Sequence, residues 1–320
     1  MSIASLGRRI LDLWAVRLVI VVVALLLAVL LRDILTGILA GALQLGSAEP
    51  ELWLGRPRSP TTMTVAGAIY ALAAFALTVV LGYGAYAWCV RRLERRPPTE
   101  IALAGAPRAL GVGLLVGIGI VLAAIAVIGI AGGLTIVPSG EPLFAAAALA
   151  SAATAACMEE LVLRGVVLRT LEHWVGTWLA LAVTAALFGA LHLTNPGATW
   201  ISALTIALTG GLILGLAYVT TRRLWLAVGL HFGVNATQGA LLGLPVSGGG
   251  TRGLLATTVT GSDVLTGGPF GVESSLTVLF VGLGVAFLLA RRVQRSGQVL
   301  PPLWARPREP TGEMLERSSP

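Results

Sequence analysis

Glu159, Glu160, Arg164, His192 and His231 lie inside long apolar runs, where an ionisable side chain is costly and needs a reason to be there. Asn235 is a polar companion four residues beyond His231. Carboxylates and imidazoles take up and release protons; a guanidinium or a carboxamide donates hydrogen bonds. Glu160–Arg164, Phe188–His192 and His231–Asn235 are each spaced i,i+4, which sets each pair on one helix face. Glu159 points about 100° away from Glu160 and has no partner on its own helix. Singly, each group has a plain packing explanation: an ion pair that sets helix register, or a hydrogen-bonded histidine in a span. Jointly, two acids, two imidazoles and an amide on three helices are a poor way merely to pack a bundle, and they mark a functional site. His173, beside Glu172, reads as interfacial.

The elements that must carry these groups are set by composition. Hydrophobic residues make up 56% of the 320, and charged residues only 12%. That is about half the charged share of a soluble domain. Mean hydropathy is +0.88. Such runs need lipid as their solvent, so the expected fold is an all-α polytopic membrane protein, a bundle of about eight transmembrane helices with a polar intramembrane site. The spans are expected near 17–31 (continuing towards 45 after Arg32-Asp33), 65–90, 109–131, 142–172, 178–193, 200–220, 224–244 and 275–290. The first reads as a retained anchor in preference to a signal peptide, because apolar residues continue past Arg32-Asp33. Three units follow: N-terminal helices over 1–142, a core of five helices over 143–292, and a polar, mobile cytoplasmic tail over 293–320.

The net charge is +7, and every basic Lys/Arg position is arginine. The arginines sit at the ends of apolar runs and not along one face, which argues against nucleic-acid binding. With eight spans, Arg8/Arg9/Arg17, Arg91–Arg96, Arg164/Arg169, Arg222-Arg223 and Arg291/Arg292/Arg295 all fall on the side of both termini. The positive-inside rule makes that side cytoplasmic. Arg56 and Arg58 are the exception. The Gly/Thr/Ser-rich loop 245–273 then lies outside. Cys89 and Cys157 sit in separate apolar runs and read as inert small hydrophobes. Gly210-Gly211 and Gly215 indicate close helix packing.

A measured 1.5 Å rise per residue brings the polar groups to one level. From a cytoplasmic turn near 173–177, Glu159 lies about 21 Å and His192 about 22 Å up their helices. His231 and Asn235 fall slightly nearer the cytoplasm.

At these residues the sequence resembles the CAAX-processing and bacteriocin-immunity-related intramembrane proteases, the CPBP or ABI family. Its motifs are matched by Glu159-Glu160-Leu161-Val162-Leu163-Arg164-Gly165, Phe188-Gly189-Ala190-Leu191-His192 and His231-Phe232-Gly233-Val234-Asn235, in that order. Glu172…Gly176-Thr177-Trp178 and Leu224-Trp225-Leu226 are similar to its connecting segments, and the stretch 265–274 resembles the external loop of a bacterial subgroup. The resemblance covers roughly 144–290. It implies an endopeptidase that cleaves a membrane-associated protein or peptide within the membrane, here in a bacterial cell membrane. Members that act on prenylated CAAX proteins are known, but that substrate need not apply. The resemblance also raises zinc, with Glu159, His192 and His231 as ligands. A metal-free Glu/His site is equally compatible with these residues, whose spacing is not His-Glu-x-x-His.

No convincing nucleophile is present, so water is the expected attacking group. Glu159 is expected to act as general base with His192, Glu160 to pair with Arg164, and His231 and Asn235 to donate to the oxyanion. Two other classes compete: a non-enzymatic immunity or scaffold protein of the same fold, and a proton-coupled transporter. The absence of a visible repeat or of paired broken helices weighs against the transporter.

Overall fold

The structure, a computed structural model, describes residues 14–43, 64–139, 141–250 and 252–306. Arg8, Arg9, Arg56, Arg58 and the end of the tail lie outside the described residues. The chain is a helical bundle with one two-stranded antiparallel sheet. Among the described residues, six helical stretches are long and apolar enough to cross a membrane: Val16–Ala42, Val65–Glu94, Ala106–Ile130, Pro142–Thr194, Trp200–Thr221 and Leu276–Arg295.

Helix α1 (Trp14–Ala42) runs straight through Arg32-Asp33, as the longer reading of the first span anticipates. Its side chains Val19, Leu26, Leu27 and Ile38 are exposed, the surface a lipid-facing helix presents. α2 (Val65–Cys89) starts at Thr64, whose hydroxyl accepts from the Gly67 N–H. α3 (Ala106–Ile130) follows. α4 (Pro142–Glu160) passes into a π-helical stretch, Leu161–Leu168, and then into α5 (Arg169–Leu191).

The stretch Pro142–Thr194 has 53 residues, about 80 Å of helix, more than twice a bilayer core. It breaks at Gly176, where φ 77 and ψ 169 are not helical. A Cβ there would stand 2.8 Å from Pro302 N, so the bend needs glycine twice over. The result is two helices joined by a tight corner.

α6 (Trp200–Ile206) continues through a π-helical turn, Ala207–Leu212, into α7 (Ile213–Thr221). α8 (Trp225–Asn235) likewise ends in a π-helical turn, Ala236–Leu241. α9 (Asp263–Thr266) is a single turn, and α10 (Leu276–Arg295) closes the bundle. β1 (Leu134–Pro138) pairs with β2 (Leu255–Val259), from Leu134 opposite Val259 to Pro138 opposite Leu255. This pair lies in loops that sequence patterning left as irregular: five-residue strands give too short an alternation to stand out.

Small residues decide how α8 is held. A Cβ on Gly113 or Gly117 of α3 would come within 2.3 Å of the carbonyl of Leu226 or Leu230, and one on Gly229 within 2.3 Å of Leu110 O. Glycines four apart on both helices thus let two backbones touch. This contact sets the position of His231 and Asn235 in the bundle. Gly229→Val is expected to lower stability in detergent micelles by about 1–3 kcal/mol through overpacking. Gly84→Ala, whose new Cβ meets nothing within 4 Å, should leave the unfolding midpoint unchanged.

One end of the bundle gathers the arginines. Arg169 donates to both oxygens of Glu94 at 2.7 and 2.5 Å, and Arg96 bonds Glu94 at 2.7 Å and Glu100 at 2.8 Å. Arg222 pairs with Glu172 and donates to Gln298 O. The start of the tail departs from the expectation of a mobile segment from 293 onwards. α10 runs on to Arg295, and Leu300 makes two bonds with Thr177: its N–H donates to Thr177 Oγ1 at 2.8 Å, and its O accepts from the Thr177 N–H at 3.0 Å. The corner at Gly176 exposes backbone groups, and 298–306 satisfies them, which a polar, Pro-rich composition does not reveal.

Candidate active site

Glu160 is fully buried, and Arg164 has 1% of its surface exposed. Arg164 Nη1 donates to Glu160 Oε1 at 2.9 Å. Its Nη2 donates to Gly211 O at 2.8 Å and Gly210 O at 3.2 Å. Those carbonyls belong to the π-helical turn between α6 and α7, where the altered ladder leaves oxygens for an outside donor. Gly210 and Gly211 also make the approach possible. A Cβ on Gly210 would meet Phe188 Cε1 at 2.7 Å, and one on Gly211 would meet Ala185 Cα at 2.7 Å. Arg164 therefore ties α4 to the α6–α7 helix as well as to its own neighbour Glu160.

The same Glu160 oxygen takes a second bond. His231 Nδ1 lies 3.0 Å from Oε1, and a carboxylate can only accept, so Nδ1 carries the hydrogen. The other ring nitrogen, Nε2, is 3.9 Å from Glu159 Oε2. Glu159 Oε2 is buried without a protein hydrogen bond. His231 thus stands between the two acids, bonded to one and facing the other.

His192 caps the end of α5. Its Nδ1 is 2.8 Å from Phe188 O, so it too donates from Nδ1 and leaves Nε2 for the cavity. Phe188 joins the groups: its ring is 4.6 Å from the His192 ring, 6.3 Å from His231 edge-on, and 5.0 Å below the Arg164 guanidinium. His192, His231 and Asn235 line one cavity of about 50 Å³, together with Ile120, Ile206, Leu214 and Val278.

The structure therefore gathers Glu160, Arg164 and His231 into one hydrogen-bonded cluster and brings His192 and Asn235 to the same cavity. Glu159 differs from expectation in its neighbour. It faces His231, and no ion pair forms between it and His192 among the described residues. The i,i+4 pattern fixes which residues share a face but not which helix that face meets.

Two further residues line the cavity without having been singled out: Ser247 and Glu273. Both come from the loop between α8 and α10, where a polar residue carries no cost. The sequence signal for Glu273 is the stretch 265–274, which resembles a family loop and holds the glycine-dense run 267–271.

The zinc raised by the family resemblance does not fit these positions. Ligands of a zinc ion sit about 2.0–2.2 Å from it and so close on one point. No group of three His, Cys, Asp or Glu side chains among the described residues could hold a metal ion. Glu159 reaches His231 Nε2 only at 3.9 Å and does not pair with His192.

Residues 141–237 match the family model for Type II CAAX prenyl endopeptidase Rce1-like proteins. The chain carries an Rce1-like intramembrane protease domain. Comparison with curated proteins and with solved structures gives no match. The Rce1-like segment holds Glu159, Glu160, Arg164, His192, His231 and Asn235, and stops before Ser247, Glu273 and α10. The protein is accordingly a hydrolase, an intramembrane endopeptidase built on a polytopic helical bundle.

Proposed function

We propose that the Rce1-like domain cleaves a peptide bond of a membrane-associated protein or peptide with a water molecule activated by Glu159 and His192. The observation that carries this reading is that two imidazoles line one cavity beside Asn235. Each histidine spends its Nδ1 hydrogen on a fixed acceptor, Phe188 O or Glu160, which leaves its Nε2 uncommitted.

In this scheme Glu159 takes the proton of the attacking water, and His192 Nε2 accepts a hydrogen bond from that water and orients it. Water attack makes an oxyanion. Asn235 donates to it from its amide, and His231 reaches it through Nε2, which must then carry a hydrogen because Nδ1–H is committed to Glu160. Glu160 and Arg164 do not touch substrate; they hold His231 at the correct height. A Lewis acid has no role in these steps.

The protein crosses the bilayer eight times in this reading. The long stretch divided at Gly176 counts twice, and α8 with its π-helical turn supplies 17 residues, enough for about 25 Å. The arginine-rich end, with both termini, faces the cytoplasm of a bacterial cell. The cavity then opens towards the other half of the membrane, under the loop that carries Glu273.

Comparing the C-termini of membrane proteins in wild-type cells and in cells with Glu159→Ala tests the function. A defined set of truncated C-termini is expected to vanish in the mutant and return on complementation. Identical C-termini in both strains, at equal protein levels, would favour the scaffold or transporter reading and reject the protease one.

A further inference from the structure

Glu273 is a buried acid for which the steps above have no use. It is 6% exposed, lines the same cavity as His192, His231 and Asn235, and sits two residues before the Ser275 cap of α10. Oε1 accepts from the Ser247 N–H at 2.7 Å and from Ser247 Oγ at 2.6 Å. Nothing else among the described residues bonds the carboxyl.

The segment that holds it is built to stay in place. Ser247 has φ 48, a left-handed backbone that a non-glycine residue adopts only where its surroundings impose it. The next residue, Gly248, donates to Phe270 O at 2.7 Å and lies so close to Pro196 that a Cβ has no room. Ser274 Oγ donates to Gly271 O at 2.9 Å and Gly267 O at 3.1 Å. The loop is thereby pinned to the end of α5 below it and to α10 behind it.

We propose that Glu273 is the acid that delivers a proton to the leaving amine when the peptide bond breaks. The proposal rests on the protease reading, which names a base, an oriented water and two oxyanion donors and assigns no residue to protonating the nitrogen. The tetrahedral intermediate forms when the water oxygen bonds to carbon and Glu159 takes one water proton. On collapse the C–N bond breaks, its electron pair stays on nitrogen, and Glu273 protonates that nitrogen. Glu159 is then protonated and Glu273 ionised. One proton passing between them through cavity water restores both.

Burial pushes the Glu273 carboxyl above the usual range, against the opposing pull of the Ser247 bonds and of the His192 and His231 imidazoles. The charged groups around it are His192 from α5 and His231 from α8. Behind His231 stand Glu159, Glu160 and Arg164. Asp263 of α9 packs against the loop at Gly268. That shift favours the protonated carboxyl, the form that has a proton to give.

Glu273→Gln keeps an oxygen for both Ser247 bonds and removes the transferable proton. The infrared spectrum of wild-type protein in detergent at neutral pH should contain a carboxylic-acid carbonyl band that Glu273→Gln lacks. The same variant should slow formation of the Glu159-dependent C-termini at least tenfold at an unchanged unfolding midpoint. Ser247→Ala, which keeps the carboxyl and its backbone bond but loses the hydroxyl, should retain the band and slow processing less than Glu273→Gln does.

A missing acid band in wild type would overturn the proposal, as would wild-type processing by Glu273→Gln. So would lost processing in Ser247→Ala with the band intact, since loop packing would then be what matters. Failure of the protease reading itself shows differently, as a Glu159→Ala strain indistinguishable from wild type.

Discussion

Arg164→Ala is expected to destabilise the protein by about 3–5 kcal/mol, the cost of leaving one partner of a buried ion pair unpaired. Glu160 has no exposed surface, so water cannot replace the lost guanidinium. His231 Nδ1–H would be the carboxylate's remaining donor, and the carbonyls of Gly210 and Gly211 would each lose one. Lysine should restore little. An ammonium on a flexible stem cannot bond Glu160 and two carbonyls of another helix from one plane, as the guanidinium does. The unfolding midpoint of purified protein in detergent, read beside its abundance in membranes, measures the loss. Glu160→Ala combined with Arg164→Ala should cost clearly less than the two single changes added together, because the double variant leaves no charge stranded. An Arg164→Ala protein as stable as wild type would mean that the pair does not hold α4 to the α6–α7 helix.

The second large effect is expected on turnover alone. Glu159→Gln should lower the rate of cleavage about 10²–10⁴-fold, the usual contribution of a general base, with no shift in the unfolding midpoint. The side chain is partly exposed and its Oε2 makes no protein hydrogen bond, so the amide strands no partner. What is lost is the ability to accept the water's proton. The rate is measured on a peptide whose C-terminus depends on Glu159 in cells. A Glu159→Gln enzyme within a few-fold of wild type would move the base elsewhere, and Glu273, an acid of the cavity wall, would be the next candidate to test.

These two neighbours in sequence are thus expected to fail in opposite ways, one through stability and one through rate. The difference is one of direction. Adjacent helical residues point about 100° apart, so Glu160 turns towards Arg164 and His231 while Glu159 turns towards the imidazole edge and the polar space beside it.

Much of this was readable in the chain. Long apolar runs have only one solvent available to them, and an ionisable residue inside one must face inward. Those two facts identify the helical membrane fold and single out Glu159, Glu160, Arg164, His192, His231 and Asn235. The i,i+4 rule pairs Glu160 with Arg164 on purely local grounds, and the pair forms at 2.9 Å. Local spacing likewise puts Phe188 under His192, although it does not reveal that the Phe188 carbonyl takes the Nδ1 hydrogen.

Contacts between helices were not readable in this way. Sequence periodicity sets the face of a helix but leaves its rotation against its neighbours open. Only the packed bundle assigns His231, and not His192, to both glutamates, turns the Gly210 and Gly211 carbonyls towards Arg164, and lets Gly113, Gly117 and Gly229 bring α3 onto α8. Glu273 marks the limit most clearly. In the chain it is one residue of a stretch that resembles a family loop, with no role assigned; in the fold, the turn at Ser247 and the clasp at Gly271 carry it into the cavity, because loop position is decided by long-range contacts that no local pattern encodes.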